Sequence, residues 1–153
     1  MDMENKVIIY TDGACSGNPG VGGWGAILFY GNSRKEISGF DANSTNNKME
    51  LTAIINALEQ LKKQCEVIIF TDSRYVKDGI TQWVENWQLN GWKTSKQEEV
   101  KNKDLWLKLL NLSNKHKIQW NWVKGHANNK YNNRADFLAT SEIKNFKNKK
   151  GVL

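Results

Sequence analysis

Four acidic residues in this 153-residue chain stand where their carboxylates could share one task, and their type suits hard divalent cations. Asp12 closes the hexapeptide Val7-Ile8-Ile9-Tyr10-Thr11-Asp12, and Asp72 closes a near copy, Val67-Ile68-Ile69-Phe70-Thr71-Asp72. If the copies are parallel neighbours, about 4.8 Å apart, the aspartates meet at one sheet edge, where like charges repel unless a cation lies between them. Glu50 shares a helical face with Ile54, Ala57 and Leu61, which turns it toward the sheet. Burying it unpaired is costly, so a charge partner is expected; a salt bridge or a face rotated to water is the alternative. Asp136 shares a face with Ala139, Thr140 and Ile143 in the first turns of the last helix, where an acid would also simply favour the helix dipole. With no ligand-spaced histidine pair or cysteine cluster, the set suits Mg²⁺ or Mn²⁺ and disfavours zinc. His126, in the polar loop Lys124 to Asn129, has the pKa to move protons at such a site, although a loop histidine can equally be plain surface.

The elements that must position these groups follow from the pattern. Unbroken β-branched and aromatic runs predict strands covered on both faces, the first stopping at Gly13 and the second at Ser73. A glycine-rich loop from Gly13 to Gly20 leads to a strand from Trp24 to Tyr30, a turn at Gly31-Asn32 and a third strand from Lys35 to Phe40. Ser44, Thr45 and Asn46 are cap candidates for a helix ending at Lys62-Lys63, which crosses over to the second hexapeptide. That connection should be right-handed and leave both aspartates at neighbouring strand ends. A helix from Ser73 to about Asn90, a break at Gly91, a mixed-charge loop from Lys93 to Lys101 and a leucine-rich helix follow. Alternation over Ile118 to Val123 marks a half-exposed strand, and a last helix spans about Asn132 to Lys144. The order predicts one α/β domain with a mixed five-stranded sheet.

Length and composition allow a single folded domain with a full core. The net charge of +6 favours a polyanionic partner without establishing one, and the lysines from Lys144 to Lys150 read as a solvated tail. Two distant cysteines, no apolar leader and no run long enough to span a bilayer point to a reducing cytoplasm and no membrane. Gly20-Val21-Gly22-Gly23-Trp24-Gly25 spells a dinucleotide fingerprint but leads into a strand instead of a helix. No nucleotide cofactor is expected, and close backbone approach or a strand bend is the better use of these glycines.

The motifs Tyr10 to Gly20, Thr45 to Leu51, Thr71 to Val76, Gly91 to Thr94, Val123 to His126 and Asn133 to Asp136 jointly give a close resemblance to ribonuclease H of the bacterial type I family, over nearly the whole chain. The resemblance implies a ribonuclease H-like fold with strand order 3-2-1-4-5, a catalytic domain over 1–145 and a flexible basic tail over 146–153. It implies a monomeric endonuclease that cleaves the RNA strand of RNA–DNA hybrids, leaving 5′-phosphate and 3′-hydroxyl ends. Asp12, Glu50, Asp72 and Asp136 match the family's metal-binding carboxylates, which hold two Mg²⁺ ions with substrate bound, Mn²⁺ being an alternative. His126 matches its mobile histidine. Cys15, Asn18, Asn46 and Asn47 match groups that read ribose 2′-hydroxyls; Thr45 and Asn102 match residues on a DNA-strand phosphate. Trp83 and Trp87 match channel aromatics, with core packing as the alternative.

Three positions depart from the pattern. Arg74 stands where many relatives carry glutamine, so a base or ribose contact becomes a phosphate contact. Asn43 replaces a basic residue of the phosphate pocket. The protrusion from Trp83 to Asp104, usually basic, balances Lys93, Lys96, Lys101 and Lys103 against Glu85, Glu98, Glu99 and Asp104. The competing readings are another nuclease on this scaffold, such as an integrase, transposase or Holliday-junction enzyme, and a non-catalytic nucleic-acid-binding module.

Overall fold

The two hexapeptides are parallel neighbours paired at their own offset: Val7 lies opposite Val67, Ile9 opposite Ile69 and Tyr10 opposite Phe70. They belong to β1 (Lys6–Gly17) and β4 (Glu66–Thr71) of a computed structural model that describes residues 6–124 and 129–151. With β2 (Gly20–Tyr30), β3 (Ser33–Ser44) and β5 (Lys117–Trp122) they form one sheet of order β3-β2-β1-β4-β5. β1, β2 and β3 are antiparallel neighbours, and β4 runs parallel to both β1 and β5. This is the five-stranded mixed sheet expected.

Val7, Ile9, Val67 and Ile69 are buried on one face beneath Leu51, Ile54 and Leu58 of α1 (Asn46–Glu59). Their neighbours Ile8, Tyr10, Ile68 and Phe70 are only half-buried on the other face, where Tyr10 stacks on Phe70 at 4.6 Å and meets Tyr131 of α5 (Lys130–Gly151). The covering is thus complete on one face and partial on the other. Trp106 and Leu109 of α4 (Lys103–Asn114) complete the core beside α1.

Several boundaries differ from the sequence expectation. β1 does not stop at Gly13: it runs to Gly17, paired with the glycine-rich start of β2, so the expected loop is a long hairpin. A Cβ at Gly25 would come 2.7 Å from the Ala135 carbonyl oxygen, which explains the glycine as room for α5 rather than as a loop marker. α1 ends at Glu59, before Lys62-Lys63. The helix expected from Ser73 to Asn90 is present without a gap, as α2 (Arg74–Asp78), a π-helical turn (Gly79–Trp83) and α3 (Val84–Leu89). α5 continues past Lys144 to Gly151, and Phe146 packs on Phe40 of β3 at 5.1 Å. Arg134 clamps this helix to β3 through two hydrogen bonds of 2.9 Å to the Glu36 carboxylate.

Candidate active site

Parallel pairing carries the two strand-end aspartates to the same edge of the sheet. Asp12 lies on β1 opposite Gly25, and Asp72 follows β4 directly. The turn after Asp72 is fixed by its own side chains: Thr71 Oγ1 accepts from Ser73 N–H, and Ser73 Oγ caps α2 by accepting from Val76 N–H. Glu50 arrives from the start of α1, whose N-cap is Thr45, the hydroxyl accepting from Lys48 N–H at 3.2 Å. Gly13 lets that helix lie against β1.

Carboxyl oxygens of Asp12, Glu50 and Asp72 lie within 4.8 Å of one another. Glu50 is 6% exposed, and among the described residues its Oε1 has no hydrogen-bond partner. Burial, then Asp72, then a hydrogen bond and charge from Asp136 push the Asp12 carboxyl up to about 8. Burial, followed by the charges of Asp12 and Asp72, holds Glu50 well above the usual carboxylate range. An oxygen-only cluster with an orphaned buried carboxylate oxygen fits a hard divalent cation, which would satisfy that oxygen and relieve the repulsion. Asp136 lines the same recess, of about 410 Å³, together with Asn46, Asn47 and Arg74. Because α5 begins at Lys130, Asp136 stands beyond the first turn, where the helix dipole no longer accounts for it.

The other predicted residues fall around this recess. Asn18 Oδ1 accepts from the Asn46 backbone N–H at 3.3 Å, tying the β1–β2 turn to the start of α1. The Cys15 thiol points to the Gly20 and Ser44 carbonyl oxygens, and burial raises its pKa. Asn102 takes a left-handed backbone, φ 61°, and donates through Nδ2 to the Tyr75 hydroxyl at 3.1 Å. Trp83 and Trp87 are half-buried, 5.7 Å apart, and Trp87 packs on the buried Trp106. His126 lies outside the described residues.

Sequence reasoning passed over two positions that shape the site. Tyr75 lines the recess and its hydroxyl accepts from Trp106 Nε1 at 2.9 Å as well as from Asn102, so one phenol links the recess to the aromatic cluster. Asn129 starts α5, its Oδ1 accepting from both Tyr131 and Asn132 N–H at 3.1 Å. An asparagine ahead of a helix is a recognisable cap, whereas nothing in the sequence pairs Tyr75 with Trp106.

The family model described as RNase H matches residues 4–144. A curated protein of Acetivibrio thermocellus named Ribonuclease H is 65% identical over 140 residues, covering 91% of this chain and 95% of that one. Another of that name, from Francisella philomiragia, is 56% identical and covers 92% of each chain. Among solved structures, LC9-RNase H1, described as a type 1 RNase H with the type 2 active-site motif, superposes with a TM-score of 0.80 at 32% identity, covering 90% of this chain and 71% of that one. LC11-RNase H1, solved in complex with RNA/DNA hybrid, gives a TM-score of 0.70 at 25% identity, covering 91% and 97%.

Proposed function

The chain belongs to the RNase H family, and from that membership and the acidic cluster we propose how it works as an endonuclease on the RNA strand of RNA–DNA hybrids. The observation that carries the mechanism is the convergence of Asp12, Glu50 and Asp72 within 4.8 Å around a buried, unpartnered Glu50 oxygen. With Asp136 on the rim, these side chains would hold two divalent ions, Mg²⁺ or Mn²⁺. Such ions supply Lewis-acid stabilisation of charge developing on the phosphodiester and lower the pKa of water.

The chain's own groups do the rest. Asp12 and Glu50, whose carboxyls burial and mutual repulsion raise, would hold the cation as carboxylates and give up their protons to do so. His126 is assigned to proton handling and product departure. Asn46 and Asn47, exposed at the recess beside the carboxylates, are assigned to ribose 2′-hydroxyls together with Asn18, which braces Asn46, and Cys15 beside the same turn. Arg74 is exposed at the recess and takes a phosphate. Thr45 and Asn102 are assigned to a phosphate of the DNA strand, and the half-buried Trp83 and Trp87 to the channel wall.

No helix among the described residues is long and apolar enough to cross a membrane, and both cysteines are free thiols, as a reducing compartment would keep them. A strand-labelled hybrid, digested with and without Mg²⁺ beside duplex DNA and duplex RNA, tests the activity. Mg²⁺-dependent cuts confined to the RNA strand of the hybrid are expected. Asp72→Asn should abolish them while hybrid binding persists; retained turnover would refute the assigned metal role.

A further inference from the structure

Asn102 opens α4 in an unusual way. It stands at the N-cap with a left-handed backbone, φ 61° and ψ 24°, a conformation costly to residues that carry a Cβ, and its side chain makes no cap bond to the helix. Asparagine is among the best caps, so an ordinary backbone and an ordinary bond are both given up here. The amide instead donates through Nδ2 to the Tyr75 hydroxyl at 3.1 Å. Such departures persist where the surroundings enforce them, and they gather at functional positions.

The group it leans on is stiff. Tyr75 stands three residues after Asp72, inside α2, which Ser73 caps. Its ring lies 5.4 Å from the fully buried Trp106 and 5.8 Å from Trp83. Trp106 Nε1, which can only donate, gives its hydrogen to the same hydroxyl at 2.9 Å, so two N–H groups converge on one phenol oxygen. Asn102 lines a recess of about 570 Å³ with Lys48, Thr52 and Lys103, whereas Tyr75 lines the one that holds Asp12, Glu50 and Asp72. Their hydrogen bond is a strut between the two recesses.

We infer that Tyr75 is a positioning residue: its hydroxyl takes one hydrogen of the Asn102 Nδ2 group, stops the amide from rotating and turns the second N–H outward, toward the DNA strand. This assignment rests on the proposed contact between Asn102 and a phosphate of that strand. A phosphate oxygen needs a donor, and a side-chain amide offers one at only one of its two ends. Rotated by half a turn, Asn102 would meet the phosphate with Oδ1, acceptor against acceptor. Tyr75 selects the donating end, and through α2 it ties that grip to the turn that carries Asp72.

Steady-state cleavage of a fluorescent hybrid with Mg²⁺, by the full chain, by Tyr75→Phe, by Asn102→Ala and by the double variant, tests the assignment. Tyr75→Phe keeps the ring and removes the acceptor. It should raise KM about three- to tenfold, the worth of one hydrogen bond, and change kcat by less than about twofold. In the Asn102→Ala background the same change should leave KM where it is, since no amide remains to be oriented. Trp106 also loses its partner in Tyr75→Phe, so Tm should fall in both backgrounds, and a purely structural role would carry the KM effect with it into both. Asn102→Asp keeps the shape without any N–H and should raise KM at least as much as alanine does. The proposal is overturned by an unchanged KM in Tyr75→Phe beside a raised one in Asn102→Ala, which would spare the phosphate contact. Equal increases in the two backgrounds, or an Asn102→Asp variant with the parent's KM, would overturn it as well. Asn102→Ala with the parent's KM would remove the phosphate contact itself and the positioning role with it.

Discussion

Gly13 lies directly beneath the backbone of Glu50: a Cβ on Gly13 would come 2.5 Å from the Glu50 nitrogen and 2.5 Å from the Met49 carbonyl carbon. Both are main-chain atoms of α1, so no rotamer change relieves the overlap, and the start of the helix must move with the carboxylate it carries. Gly13→Ala should therefore cost about 1–3 kcal/mol of stability, the usual range for overpacking. By displacing Glu50 it should also slow cleavage on the order of a hundredfold. Urea unfolding and single-turnover cleavage check the two halves.

The elevated carboxylates give metal-free stability an unusual pH dependence. Free aspartate titrates near 3.9, whereas burial, with Asp72 and Asp136 nearby, holds Asp12 at about 8, and Glu50 is raised in the same direction. A folded-state pKa above the unfolded one means the folded chain keeps protons the unfolded chain has lost. Stability in EDTA is then greatest near pH 4 from this source and falls as pH rises toward 8. Mg²⁺ should reverse the loss, so the gain in Tm on adding it widens from pH 5 to pH 8. Asp12→Asn should remove much of the penalty and stabilise the metal-free protein at pH 8 by roughly 1–3 kcal/mol. Thermal melts with and without the ion, across pH, decide the matter.

An ion pair between β3 and α5 has the reverse sign. Arg134, then Arg34, hydrogen-bond Glu36 and hold its carboxyl down at about 2. The unfolded carboxyl stays ionised above about 4.3, so this stabilisation is complete above that value and disappears as pH falls toward 2. Both partners are partly exposed, 41% and 26% by side chain, so solvent screening keeps the worth of the pair small. Arg134→Met should show that deficit in urea at pH 6 and lose it as pH approaches 2. Because α5 also carries Asp136, the variant should raise the Mg²⁺ concentration needed for half-maximal cleavage.

The pairing of Asp12 with Asp72 was legible because two nearly identical strand sequences match at a single offset, and that offset is the register the sheet adopts. The glycines before Trp24 were ambiguous: a missing side chain reads the same whether it marks a loop or a strand under a close helix, and only the packing of α5 distinguishes them. The π-helical turn after Asp78 was hidden for a similar reason. A Cβ at Gly79 would overlap the Trp106 ring, a contact between distant segments that helical periodicity cannot register. His116 stands between two lysines in the sequence, yet it accepts a hydrogen bond from the Cys65 backbone N–H at 3.1 Å. Nothing local in the sequence distinguishes a bonded histidine from a solvated one.

The protrusion supplies the last prediction. Its four lysines and four acids cancel between Trp83 and Asp104, and the structure brings members of the two sets together: Lys103 Nζ lies 3.9 Å from Glu99 Oε1, and Lys93 bridges Glu99 through the backbone. A lysine already paired with an acid, as Lys103 is, releases fewer counterions from a nucleic acid. Each phosphate neutralised steepens the plot of log affinity against log salt by about 0.9 on B-form DNA. Without a basic protrusion, hybrid binding should give a slope shallower than about −5, the value for six such contacts. Replacing Glu98 and Glu99 by lysine frees the local cations and adds two more, so the slope should steepen by about two and affinity at low salt should rise. A salt titration of a catalytically silenced Asp72→Asn protein, with and without those two changes, measures both slopes; a steep slope in the parent would mean that phosphates are gripped elsewhere on the surface.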